Sequence, residues 1–372
     1  MNTENATPMK YRPLPHDPNI CLSEIGFGAA RLDDNYESDE LLHAGIEAGV
    51  NFLDTVPSVA GGYKALERVI APVRKQMFLQ LHLGCTYASG EYGWTRNINK
   101  IKRDWERQLN VFKTDYADFG FIHCIDTQDD FASMQKNGLW DYALELKEEG
   151  VIRHLGCSTH SVEIAHEFLR TGLVDLMMFS LNPMYDYTDK STYGKGSVDD
   201  RANLYRACEA ADVALSVMKC TAGGQLLDAR QSPFKCAITP VQCAQYALDK
   251  PAVVSVLAGM KNACELNGFL RVHTASAEER DYSMLGSVVP ESMQARCVYC
   301  SHCHPCPAGL NIALINKYYD LAKMGDAQAR GHYEKLELHA TDCTSCGHCD
   351  SRCPFNVAQS ARMQEIAEYF GV

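Results

Sequence analysis

Eight cysteines fall between positions 297 and 353, in two runs whose spacing leaves few chemistries open. The first run is Cys297, Cys300, Cys303 and Cys306, each three residues from the next, followed by Pro307. The second is Cys343, Cys346, Cys349 and Cys353, followed by Pro354. Three thiolates at this spacing wrap one face of a cubane cluster, and a fourth must arrive from elsewhere. In two-cluster ferredoxins the fourth cysteine of each run ligates the other run's cluster. The expected ligand sets are therefore Cys297, Cys300, Cys303 and Cys353 for one [4Fe–4S] cluster, and Cys343, Cys346, Cys349 and Cys306 for the other. The first run has two residues, not three, before its last cysteine, so its local turn differs from the common pattern. Structural zinc is the rival, but zinc ribbons use two separated C-x-x-C pairs, unlike four evenly spaced cysteines with a following proline. His302, His304 and His348 interleave with the runs and read as surface residues. Between the runs, Ile312, Ile315, Tyr319 and Ala322 recur at helical spacing and predict a helix.

The other nine cysteines are scattered singly from Cys21 to Cys264 and read as small buried hydrophobes. Residues 1–10 are polar and lack the apolar core of a secretory signal, and no apolar run approaches the ~20 residues of a bilayer span. A cytoplasmic protein with no membrane partner is expected, its clusters implying an anaerobic or well-protected setting. Lys plus Arg number 35 against 47 Asp plus Glu, a net charge of −12 with no basic cluster, which argues against nucleic-acid binding.

Apolar runs and amphipathic stretches alternate along the first 270 residues. Strand-like runs lie at 25–29, 52–56, 77–83, 117–125, 152–158, 176–181, 214–220 and 253–258, with helical patterns such as 40–48, 101–112, 139–149, 162–170, 202–211 and 241–248 between them. Eight β–α units over roughly 250 residues fit a (β/α)₈ TIM barrel. A doubly wound sheet would want fewer units and a phosphate loop after its first strand; the stretch Gly26 to Arg31 lacks the third glycine of a dinucleotide fingerprint. The expected architecture is an α/β barrel over 1–285, then a small α-rich ferredoxin-like iron–sulfur domain over 286–372. Barrel sites form at the C-terminal strand ends. There the sequence has Asp54 and Thr55, His82, His123, then Ser158, Thr159 and His160, Asn182, Lys219, and Gly259 with Lys261. Cys85, Cys124, Cys157 and Cys220 also fall at or just past strand ends, without ligand spacing, and read as rim or core residues.

These positions resemble the aldo-keto reductase superfamily, specifically members with a C-terminal ferredoxin domain. The carriers are Glu24-Ile-Gly-Phe-Gly28, Gly49-Val-Asn-Phe-Leu-Asp-Thr55, Phe121-Ile-His123 and Leu155-Gly-Cys-Ser-Thr-His160. Further along come Lys219 with Gly223-Gly224, Val256-Leu-Ala-Gly-Met260, and the Cys300 to Gly309 segment. The resemblance implies NADPH-dependent carbonyl reduction by an Asp–Tyr–Lys–His tetrad. Asp54 and His123 match two members. The tyrosine position reads Val59 and the lysine position reads His82, so the resemblance leaves His82, protonated beside Asp54, as candidate acid, with Tyr63 past Gly61-Gly62 as a second. Of the family's cofactor contacts, Ser158 remains, Thr159 replaces an asparagine, Met178 replaces a glutamine, and Gly268-Phe269 stands where Glu-Asn holds adenine. Asn182 and Gly259 remain candidates on the cofactor side, Lys219, Gly223 and Gly224 could hold an anion, and Lys261 could meet a phosphate; NADP(H) binding stays an open expectation.

The function expected is an iron–sulfur oxidoreductase. Its barrel acts on a small carbonyl or related acceptor, electrons arrive through both clusters from a ferredoxin or flavodoxin, and Asp54, His82 and His123 handle protons. Two alternatives are an NADPH-dependent reductase in which His82 replaces the Tyr–Lys pair, and an electron-transfer or docking protein with a retired barrel.

Overall fold

The computed structural model describes residues 9–187, 193–287, 295, 297–323 and 328–372. Eight strands close in chain order into a barrel of parallel neighbours. They are β1 (Ile25–Gly28), β2 (Phe52–Asp54), β3 (Phe78–Leu83), β4 (Ala117–Ile122), β5 (Ile152–Thr159), β6 (Leu176–Ser180), β7 (Ala214–Met218) and β8 (Val253–Ala258). Each is an almost unbroken buried run, as a strand covered on both faces must be. Every expected strand is present, but β2, β4 and β7 stop two or three residues early. At two of those ends the backbone turns left-handed, at Cys124 (φ 51°) and Lys219 (φ 59°), which takes the chain off the ladder and onto the rim.

The floor of the barrel is closed by a short antiparallel pair, Tyr11–Pro13 with Cys21–Ser23. Leu14 and Leu22 pack there against Phe52, Phe119 and Leu176. Arg12 locks the pair to the barrel: its guanidinium donates to the Leu248 and Val253 carbonyls and pairs with Glu24 at 2.7 Å. Burial pushes the Glu24 carboxyl up, but His273 and Arg12 overcome it and hold the group at about 2.

The expected helix between the cysteine runs is Ile312–Lys323, joined by Ala329–Glu334, His348–Arg352 and Gln359–Phe370. These helices share a core of Leu310, Ile315, Tyr319, Tyr333, Met363, Ile366 and Phe370. Val298, Phe355 and Val357 instead join the barrel's own core, with Cys297, Cys300 and Cys353 packed against it. Polar ties add to this. Arg206, on the barrel helix Val198–Ala210, donates to the Tyr299 hydroxyl at 3.1 Å and pairs with Asp320 at 3.6 Å, and Lys317 pairs with Glu209 at 2.8 Å. Buried packing thus runs across the 285/286 boundary drawn from the sequence. Among the described residues no helix is long and apolar enough to cross a membrane.

Candidate active site and cysteine clusters

A cavity of about 480 Å³ opens at the C-terminal strand ends, where barrel sites form. Asp54, Tyr92, His123, Cys124, Ser158, His160, Lys219 and Arg31 line it, with Met178, Gly28, Gly223 and Gly259. His82 lies just beneath, fully buried. The strand register explains the convergence. Asp54 ends β2 opposite Gln80 on β3, and two residues on, His82 points into the same interior opposite Phe121 on β4. Gly156 on β5 sits across from Phe121, and the missing side chain there makes room for the Phe121 ring, which in turn packs against His82 at 5.4 Å between centroids. Gln108 fixes the His82 backbone, accepting from its N–H at 3.0 Å and donating to its carbonyl at 2.9 Å.

Four side chains form one hydrogen-bonded line. His82 Nε2 meets Asp54 Oδ1 at 2.7 Å. His82 Nδ1 meets His123 Nδ1 at 2.8 Å, and His123 Nε2 meets the Tyr92 hydroxyl at 2.7 Å. Gln80 Nε2 also donates to Asp54 Oδ1 at 3.2 Å. Burial, then the neighbouring His82 and Arg96, hold His123 well below the usual imidazole value. Burial pushes the Tyr92 hydroxyl well up. Tyr92 escaped the sequence reading because it lies on a hairpin, Cys85–Thr86 with Gly93–Trp94, too short to carry periodicity. The signal available was a tyrosine between Gly90 and Gly93, directly after a site-bearing strand.

Tyr63, expected as a catalytic candidate, is not brought to the cavity. Its helix, Gly62–Val69, buries the ring edge-to-face on Tyr87 at 5.2 Å and under the Arg107 guanidinium at 4.9 Å, on the outer side of the barrel wall. Among the cofactor candidates, Ser158, Lys219, Gly223 and Gly259 reach the cavity, and Ser158 Oγ accepts the Cys124 N–H at 2.8 Å. Thr159 is spent on Asp126 at 3.0 Å, and Asn182 donates to the Lys219 carbonyl at 2.8 Å, shaping the loop rather than facing a ligand. Gly224 and Lys261 do not line the cavity; the Lys261 N–H is held by Glu265 at 2.9 Å. Arg31, past the end of β1, was not expected there. Burial pulls Lys219 below the usual amine value, and its ammonium sits 4.2 Å from the Tyr193 ring centre. Of the rim cysteines, Cys124 and Cys220 line the cavity, whereas Cys85 and Cys157 are buried in the core.

The eight clustered cysteines separate into two groups. Burial pushes Cys300 up to about 12 against a hydrogen bond from the His302 backbone, and Cys297 and Cys353 add to the rise. Burial likewise raises Cys303, and its neighbours Cys297, Cys300 and Cys353 add to the rise. Cys306 instead shares a small cavity with Cys343, Cys346 and Cys349. Each group thus takes one cysteine from the opposite run. Tetrahedral zinc with bonds of about 2.3 Å would draw thiolates to about 3.8 Å apart. Among the described residues, the only three ligand-type side chains within 4.8 Å of one another are Cys124, Asp126 and His160, so the clustered thiols stand wider apart than zinc requires. Soft thiols at this wider spacing, in two sets of four, fit iron–sulfur clusters.

A redox barrel with an appended iron–sulfur domain is the class that fold and cysteines define. The chain belongs to the aldo/keto reductase family, matched over residues 24–237, and residues 293–357 match a 4Fe-4S dicluster domain. It is an oxidoreductase of that type. Among its relatives, the uncharacterized oxidoreductase YqkF of Bacillus subtilis (strain 168) is 26% identical over 263 residues, 65% of this chain and 84% of YqkF. The aldo-keto reductase AKR11C1 from Bacillus halodurans, in its holo form, shares the fold with a TM-score of 0.60 at 21% identity, over 76% of this chain and 97% of that one. A Klebsiella pneumoniae aldo/keto reductase solved with NADP and acetate gives 0.52 at 16% identity, over 76% of this chain and 96% of that one.

Proposed function

We propose that the barrel reduces a small organic carbonyl, or a related acceptor, with electrons that enter through the C-terminal domain. The supporting observation is the pairing of an unbroken Asp54–His82–His123 line at the cavity with two cysteine groups stacked outward from the barrel wall. Cys297, Cys300, Cys303 and Cys353 would hold the cluster nearer the barrel, and Cys306, Cys343, Cys346 and Cys349 the outer one. When bound, [4Fe–4S] clusters pass electrons one at a time. Cys346, in the outer group, is exposed, which suits electron entry there from a ferredoxin or flavodoxin. A carbonyl takes two electrons and two protons to become an alcohol, and Asp54, His82 and His123 hold and move a proton at the cavity. A barrel retired from catalysis would have no use for that line of contacts. The test is anaerobic oxidation of reduced methyl viologen by the cluster-loaded protein, with benzaldehyde or methylglyoxal as acceptor. Alanine at Asp54, His82 or His123 should lower turnover and leave cluster absorbance unchanged; full activity in all three variants overturns the reading.

A second reading, hydride transfer from NADPH, draws support from Arg31, Lys219, Gly223 and Gly259 around the cavity, and from the NADP held by the Klebsiella neighbour. Thr159 and Asn182, spent elsewhere, weaken it. Bleaching of the cluster band by NADPH in an anaerobic titration would favour this route, and bleaching by dithionite alone would favour the first.

A further inference from the structure

We propose that Tyr92 is the proton donor of this site, occupying the place left by the tyrosine that the family carries where this chain has Val59. The proposal rests on carbonyl reduction as the barrel's chemistry and adds to it the group that touches the substrate oxygen. The backbone explains how a residue more than thirty positions away comes to this place. Residues 58–60, where the family tyrosine would sit, are clamped to residues 90–92. Val59 and Glu91 form a bridge, Ala60 N–H donates to the Gly90 carbonyl at 3.0 Å, and Tyr92 N–H donates to the Ser58 carbonyl at 3.0 Å. From this clamp the Tyr92 ring packs against Tyr87 and His123, at 6.4 and 5.7 Å between centroids, and its hydroxyl enters the cavity beside Asp54 and His123.

The hydrogen positions follow from what each atom can do. The Asp54 carboxylate only accepts, so His82 Nε2 donates to it. One hydrogen is shared between His82 Nδ1 and His123 Nδ1. With that hydrogen on His82, His82 is an imidazolium paired with Asp54. His123 is then neutral, its Nε2–H donates to the Tyr92 oxygen, and the Tyr92 O–H is free to point at a substrate. With the hydrogen on His123, both rings are neutral and Tyr92 donates back to His123 Nε2. The two states differ by one proton. In passing from the first to the second, Tyr92 gives its proton to the carbonyl oxygen and takes the His123 Nε2 hydrogen, while His123 Nδ1 takes the His82 hydrogen. Each hydrogen moves by one bond, and the Asp54–His82 pair ends one proton poorer. The second proton of the reduction and its two electrons come from solvent and from a one-electron donor of the ferredoxin or flavodoxin class, and a solvent proton restores the relay. Burial supports the first state by keeping His123 neutral and the Tyr92 phenol protonated.

The experiment uses the cluster-loaded protein with oxidised clusters and 4-(dimethylamino)cinnamaldehyde, a dye whose absorbance moves to the red when its carbonyl accepts a hydrogen bond. The wild type should bind the dye with a red shift. Tyr92→Phe should bind it without the shift, and its turnover in the viologen assay should fall about 10²–10⁴-fold, the range for a general acid, at unchanged cluster content. A Tyr92→Phe protein that keeps both the shift and wild-type turnover overturns the proposal. A wild-type red shift lost in Tyr92→Phe but without viologen-driven turnover sinks the electron-delivery reading and leaves Tyr92 as the donor. A wild type that turns over aldehydes with viologen but does not shift the dye overturns the proposal and leaves electron delivery standing.

Discussion

At the scale of single residues, a histidine stands beside Asp54 where the family resemblance implies a lysine. His82 is fully buried and touches both Asp54 and His123, so it can hold a charge against Asp54 and also pass a proton on, which a lysine at the same position would do only at its tip. Asp54→Asn keeps an oxygen for His82 Nε2 but removes the carboxylate charge beside it; turnover should fall about 10²-fold or more, with cluster absorbance unchanged in the same sample. His123 sets the pH dependence. Burial, then His82 and Arg96, hold its folded-state value below the unfolded 6.5. As pH falls through 6.5 the unfolded chain binds a proton that the folded chain refuses, so stability declines until the folded value is reached. Turnover of the folded enzyme should hold through that range and fall only as pH reaches the lower folded value, because a protonated His123 cannot accept from His82. Urea midpoints and viologen-assay rates between about pH 7 and pH 5 would check both, and His123→Asn should flatten the stability slope. The placement of Asp54, His82 and His123 was legible because each closes or nearly closes an apolar strand. Tyr92 was not legible: its position depends on backbone pairing between 58–60 and 90–92, which no local pattern encodes.

At the scale of elements, all eight strands could be read from the chain because burial on both faces makes each a largely apolar, almost unbroken buried run. Where β4 and β7 end could not, since single residues in left-handed backbone, Cys124 and Lys219, turn the chain off the ladder there. Strand spacing depends on glycines in the same way. A Cβ on Gly156 would lie 2.3 Å from the Phe121 ring, which is itself fully buried and tilted against the His82 ring. Gly156→Ala should therefore destabilise the protein by about 1–3 kcal/mol and lower turnover as well, because the displaced ring packs against His82. Thermal melts and viologen-assay rates on one preparation would show whether the two losses occur together. Glu24 acts at the other end of the barrel. Its carboxyl, held at about 2 by His273 and Arg12 against burial, contributes stability that is present above the unfolded carboxylate value and lost as pH falls toward 2. Glu24→Gln should lower the urea midpoint at neutral pH and remove that part of the acid dependence.

At the scale of the whole molecule, the two cysteine groups are unequal partners of the barrel. Cys297, Cys300 and Cys353 pack on the barrel's core, while Cys303 and Cys349 lie in the C-terminal core, with Cys306 and Cys343 packed against it. Spacing alone suggested that Cys353 and Cys306 exchange between runs; it carried no hint of which group faces the barrel, since that depends on Val298, Phe355 and Val357 joining a core assembled from residues far earlier in the chain. Two substitutions separate these facts. Cys353→Ser and Cys306→Ser should each lower iron content by about half, because each removes the fourth ligand of one cluster. Only Cys353→Ser should also lower the barrel's melting temperature, since metal binding couples to folding and this group is built into the barrel wall. If each serine instead disturbs the cluster of its own run, with electron paramagnetic resonance reporting which signal is lost, the exchange of ligands is wrong. If both serines leave the barrel's melt unchanged, the wall does not depend on its cluster, and the ties of Arg206 to Tyr299 and Asp320 hold the C-terminal domain to the barrel without it.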